Sequence, residues 1–123
     1  MKTTPIVVLC LSAMVQYAQQ AAIMPLPDGM LHVYGLPVGQ GDGTIIQCPN
    51  GDISIVDLGS TTRTQQGVGD YMTDAELTAF LGVHLQRLKY VFISHPDIDH
   101  YSLFPKLNVK AGSVNAVYVG CSV

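Results

Sequence analysis

Residues 94 to 100 read Ser94-His95-Pro96-Asp97-Ile98-Asp99-His100, directly after the apolar run Tyr90-Val91-Phe92-Ile93. The run is short and rich in β-branched and aromatic residues, which predicts a buried strand. Two imidazoles and two carboxylates then fall within six residues. Imidazole nitrogen and carboxylate oxygen are the donors that suit zinc and neighbouring divalent metals. A strand ending in such a cluster mounts it on a loop with a rigid sheet behind it, where reactive groups are commonly carried. Pro96 has a fixed φ and keeps His95 out of the helical region, so the segment starts extended and His95 and Asp97 share a side. Asp99 and His100 turn back toward the same point if the chain then enters a helical turn. A lone His-x-Asp pair is usually a solvated loop. Four donor residues in six make His95, Asp97, Asp99 and His100 candidate metal ligands.

Upstream, Thr73-Asp74-Ala75-Glu76 has the form of a helix capping box. Leu77, Phe80, Leu81, Leu85 and Leu88 then recur on one helical face, predicting a helix packed on the sheet. Gly82 lies inside that pattern and should weaken the helix by roughly 1 kcal/mol relative to alanine. His84 falls at the boundary of the buried face. Further back, Thr44-Ile45-Ile46-Gln47-Cys48 and Ile53-Ser54-Ile55-Val56-Asp57 flank the turn signal Pro49-Asn50-Gly51-Asp52, which predicts a hairpin. Asp57, at the carboxyl end of an apolar strand, is placed either to support a site at the sheet's edge or to cap the following turn. Gly39-Gln40-Gly41-Asp42-Gly43 is a glycine-rich loop without the lysine and helix of a phosphate-binding loop. It reads as a hairpin connection or as a direct contribution from Asp42. Residues 30–36 form a first strand, with Leu31, Val33 and Gly35 on one side and His32 half-exposed. Downstream, Tyr101-Ser102-Leu103-Phe104 begins a short helix stopped near Pro105, and residues 114–120 form a last strand.

The cluster His95-Pro96-Asp97-Ile98-Asp99-His100 resembles the His-x-His-x-Asp-His signature of the metallo-β-lactamase superfamily, with Asp97 where most members have the second histidine. Together with Val38-Gly39-Gln40-Gly41-Asp42 and Ile55-Val56-Asp57-Leu58-Gly59, it is similar to the ComEC/Rec2-like branch, which includes extracytoplasmic domains of bacterial DNA-uptake proteins. The resemblance implies an α/β (α+β) fold, the N-terminal half of an αββα sandwich, with a mixed sheet and packed helices. It implies a metal-dependent hydrolase acting on phosphodiester or other ester bonds through metal-activated water. His95, Asp97, Asp99 and His100 would hold the metal and Asp99 would also serve catalysis. Asp57 would orient the metal loop from behind, and Asp42 would support it. The implied cofactor is a divalent metal, zinc foremost, with one or two ions in an intact relative. Asp97 brings a harder oxygen donor that shifts preference toward manganese or magnesium. Tyr101-Ser102 stands where many members have glycines. The family completes its centre with later ligands, whereas no histidine follows His100 here. The expectation is therefore a partial domain over residues 23–123, needing a C-terminal half or a partner chain. Two alternatives stand beside the hydrolase: a non-catalytic metal-binding fragment and a structural secreted module.

The 123 residues suffice for one domain. Charged residues are only 12%, against about 25% in typical domains. The net charge of −3 lacks the basic footprint of proteins that grip nucleic acid through phosphates. Lys2 followed by the apolar stretch from Ile6 to Val15 predicts a secretory signal peptide over residues 1–22, cleaved near 18–22. The stretch is shorter than the ~20 residues of a spanning helix, so no membrane span is expected after its removal, and the mature chain is placed outside the cytoplasm. Cys10 would leave with the leader. Cys48 and Cys121 remain, and an oxidising compartment permits but does not require their pairing.

Overall fold

Among the described residues, five strands and two helices make a mixed α+β fold. The structure, a computed structural model, describes residues 23–61, 71–109 and 113–121. The expected signal peptide and most of the polar connection after Thr61 lie outside the described residues. Strands β1 (His32–Gly35), β2 (Gly43–Gln47), β3 (Ile53–Leu58), β4 (Leu88–Ile93) and β5 (Ala116–Val119) lie in the sheet in that order. β1–β2 and β2–β3 pair antiparallel; β3–β4 and β4–β5 pair parallel. Helix α1 (Asp74–Leu81) and the 3-10 turn at Gly82–Arg87 link β3 to β4. Helix α2 (Ile98–Tyr101) and a second 3-10 turn at Phe104–Lys106 follow β4. Among the described residues no helix is long and apolar enough to cross a membrane.

The hairpin closes where the turn chemistry places it. Gly51, at φ 86°, donates to the Cys48 carbonyl at 2.7 Å, and the Cys48 amide donates to Asp52 at 2.8 Å. Only glycine adopts such a φ without steric cost. The alternation of β2 and β3 sends Ile45, Ile53 and Ile55 to the core face. Leu77, Phe80, Leu81 and Leu85 cover that face.

The capping box forms: Thr73 Oγ1 accepts from the Glu76 amide, and the Glu76 carboxylate accepts from the Thr73 amide at 2.7 Å. The expected continuation of the helix to Leu88 does not occur. Gly82 takes φ 44° and ψ −128°, ending α1, and the chain tightens into 3-10 turns. Leu88 is still buried, but as the first residue of β4. A register shift between β3 and β4, where Ile53 meets Leu88 and Ser54 meets Tyr90, lets Leu88 and Val91 both face the core. A sequence pattern cannot distinguish a leucine buried by helical spacing from one buried by a bulge. The expected helix at residues 101–104 also shifts. α2 begins at Ile98 and ends at Tyr101, and Pro105 falls within the first residues of the next 3-10 turn, where its missing N–H costs little.

His84 is not a boundary residue but a buried one, 4% exposed. Its Nε2 donates to the Met24 carbonyl at 3.0 Å. Gln47, fully buried, donates to the Pro25 carbonyl at 2.9 Å. These two polar side chains pin an incoming segment whose Met24 fills the core.

Cys48 and Cys121 are free. Cys48 follows β2 at the amino end of β3, whereas Cys121 follows β5 at the carboxyl ends of the parallel strands. A strand's length at about 3.3 Å per residue separates them, beyond the Cα spacing of a disulfide.

Candidate metal centre

Topology brings three loops to one end of the sheet. The carboxyl ends of β3, β4 and β5 and the turn from β1 into β2 all lie there. The loop at residues 36–42 is therefore a hairpin connection and also sits beside the His95–His100 segment. The hairpin reading of it holds.

The His95–His100 loop starts extended and then turns. Asp97 has φ −86° and ψ 146°, and α2 follows at once, with the His100 amide donating to the Asp97 carbonyl at 2.9 Å. That single turn returns Asp99 and His100 toward His95. The two imidazole centroids lie 3.8 Å apart. His95 Nε2 is 3.4 Å from Asp97 Oδ2, and His100 Nε2 is 3.8 Å from Asp99 Oδ1. The four sequence-derived donors thus form two His–Asp pairs that meet through the adjacent rings, but no three of them bring donor atoms within 4.8 Å of one another.

Backbone packing seats the group. A side chain at Gly59 would overlap the Asp99 carbonyl and the His100 amide, and one at Gly41 would overlap the Gly59 and Asp99 carbonyls. Close approach, rather than φ, requires glycine at both. The Asp42 amide donates to the Asp99 carbonyl at 3.2 Å, and the Gly59 amide donates to the Asp42 carbonyl at 2.9 Å. Ser102 Oγ bridges to Ser60, accepting from its amide at 3.0 Å and donating to its carbonyl at 3.1 Å.

Asp57 grips the loop from beneath. It is 3% exposed and takes φ 52°, a left-handed conformation that aspartate tolerates better than most residues. Its Oδ1 accepts from the Ser94 amide at 2.7 Å. Its Oδ2 accepts from Ser94 Oγ at 2.7 Å and from His100 Nδ1 at 2.9 Å. Burial pushes this carboxyl up, but the Ser94 hydroxyl and amide and then His100 outweigh it and hold it below its ordinary value. The same hydrogen bond raises the His100 imidazole above its ordinary value, against burial, and the charges of Asp57, Asp99 and Asp42 add to the rise.

The tightest convergence of donor atoms differs from the four. Asp42, Asp57 and His100 each offer an atom within 4.8 Å of the others. Asp57, however, already accepts three hydrogen bonds and is closed to solvent, so its closeness to His100 is that of a hydrogen-bonded pair. Asp42 is different: it is exposed, and among the described residues only its Oδ1 is engaged, by the Gly43 amide at 2.9 Å. This makes Asp42 an accessible oxygen beside His100. Among the described residues no lysine or arginine pairs with Asp42, Asp57, Asp97 or Asp99; Lys106 pairs with Asp74 and Arg87 with Asp52.

Ser94 was not singled out from sequence, although it stands between the strand and His95. A hydroxyl at that junction was the available signal. No protein-family model matches the chain, and no curated protein matches it.

Proposed function

We propose that this chain carries the metal-binding loop of a metallo-β-lactamase-like hydrolase, exported from the cytoplasm and directed at phosphodiester or other ester bonds. The observation that carries the reading is the arrangement of the two histidines. Each has its Nδ1 engaged by Ser94 or Asp57, and each turns its Nε2 toward a carboxylate oxygen. The 3.4 Å between His95 Nε2 and Asp97 Oδ2 fits the donor set. Two donors held ~2.0–2.1 Å from one tetrahedral zinc stand roughly 3.3 Å apart. Among the described residues these carboxylates have no lysine or arginine partner, which makes the loop a cation-attracting surface.

In this reading His95, Asp97, Asp99 and His100 hold the ion, and Asp42 offers a further oxygen. A bound divalent ion supplies Lewis acidity and activates water near neutral pH. Asp99 would either hold the ion or orient the water that such an ion activates. Asp57 holds His100 in place. The ester class and the export rest on the sequence resemblance and on residues 1–22.

Calorimetric titration of zinc and manganese, with turnover of bis(p-nitrophenyl) phosphate, tests the reading. Stoichiometric binding and hydrolysis are expected. Asp99→Ala should reduce turnover by more than the roughly 10–100-fold typical of residues behind the ligands. Stoichiometric metal without turnover in the wild type would favour the non-catalytic alternative. No binding at all would remove the metal reading.

A further inference from the structure

Ser94 Oγ lies 2.7 Å from Asp57 Oδ2, 3.0 Å from His95 Nδ1 and 3.3 Å from His100 Nδ1. One hydroxyl therefore stands among three groups, and the protons around it can be counted. Ionised Asp57 only accepts, so the single Ser94 proton goes to Asp57 Oδ2. The Ser94 oxygen is then left as an acceptor, and His95 Nδ1 at 3.0 Å must be the donor. His100 Nδ1 donates in the same way to Asp57 Oδ2 at 2.9 Å. The geometry points to one ordered network, His95 Nδ1–H to Ser94 Oγ–H to Asp57 and His100 Nδ1–H to Asp57, in which Ser94 is a positioning residue that fixes the tautomer of His95.

The consequence is chemical. With each ring's proton on Nδ1, the lone pair of each neutral imidazole sits on Nε2, the atom facing Asp97 or Asp99. A metal takes an imidazole nitrogen through its lone pair, and the hydrogen bond at the other nitrogen decides which atom offers it. Ser94 thereby extends to His95 the orientation that Asp57 gives His100 directly. One buried carboxylate sets both rings. The use of this network rests on the metal-site reading above, but its geometry does not.

The test is long-range proton–nitrogen NMR of histidine-labelled, metal-free full chain at pH 9, above the usual range of imidazole titration. The expected spectrum shows both His95 and His100 protonated at Nδ1. In Ser94→Ala, His95 should move toward the Nε2–H form while His100 stays. Ser94→Thr, which keeps the hydroxyl, should restore the wild-type pattern. Zinc affinity should fall about 10–100-fold in Ser94→Ala and recover in Ser94→Thr. A wild-type His95 carrying its proton on Nε2 overturns the proposal, whatever the variants do, and so does a His95 tautomer unchanged in Ser94→Ala. If the tautomers are as expected and the wild type binds no zinc, the network stands and the metal reading falls.

Discussion

At the residue scale, Asp57 connects the sheet to the His95–His100 loop. It is buried, ionised and held in a left-handed conformation by three hydrogen bonds. Its pairing with His100 makes stability depend on pH in a definite direction. His100, raised above its ordinary 6.5, contributes stability that is complete below pH 6.5 and lost as pH rises through its folded value. Asp57, lowered below its ordinary 3.8, contributes above pH 3.8, and its contribution is lost as pH falls through its folded value. The pair therefore stabilises most between those limits. The urea midpoint of the metal-free protein should fall as pH rises above about 6.5, and Asp57→Asn should flatten that decline. Asparagine keeps the side chain's shape and tolerates the left-handed φ, so the variant isolates the charge. An alkaline decline as steep in Asp57→Asn as in the wild type would assign the effect elsewhere.

At the scale of elements, α1 shows how a local rule changes sign. Glycine inside a helix costs stability, so the sequence pattern alone predicts that Gly82→Ala stabilises the protein. Gly82 instead ends the helix at φ 44° and ψ −128°, a conformation that penalises a Cβ even though open space surrounds it. Gly82→Ala should therefore destabilise by about 1–3 kcal/mol, measured by urea unfolding. A stabilised variant would mean that α1 runs on as the leucine spacing suggested. The capping box and the β2–β3 turn were legible because each is a contract among residues a few positions apart. The end of α1 was not, because the start of β4 competes for Leu88.

At the scale of the whole molecule, the sheet is covered on one face only among the described residues. The other face carries Val33, Ile46, Val56, Tyr90, Phe92 and Tyr118 from all five strands. Phe92 and Tyr118 stack at 5.0 Å with an interplanar angle of 10°. Val33 is 63% exposed and Tyr118 is 53% exposed. Parallel pairs such as β3–β4 and β4–β5 are usually buried on both sides, and an apolar patch of this extent is unusual for a surface. The protein should enhance the fluorescence of an apolar dye such as ANS in the native state. The double substitution Val33→Lys and Tyr118→Lys should cut that signal by roughly half with little change in unfolding midpoint. An undiminished signal would place the dye elsewhere.

Local chemistry alone specified much of this protein. The strand running into His95, the helical return of Asp99 and His100, the hairpin and the capped start of α1 all depend on neighbours in the chain. The contacts that organise the site depend on topology. Ser94 meets Asp57 across 37 positions, His100 meets Asp57 across 43, and His84 meets Met24 across 60. Local geometry was therefore readable, whereas hydrogen-bond partners distant in the chain were not. Parallel pairing of β3 with β4 sets Asp57 beneath the His95–His100 loop, where its oxygens accept from Ser94 and His100. The antiparallel return of β1 and β2 leaves Asp42 beside them with an oxygen open to solvent. Hydrogen-bond partners distant in sequence are chosen by the order and direction of strands, and only the folded sheet supplies those.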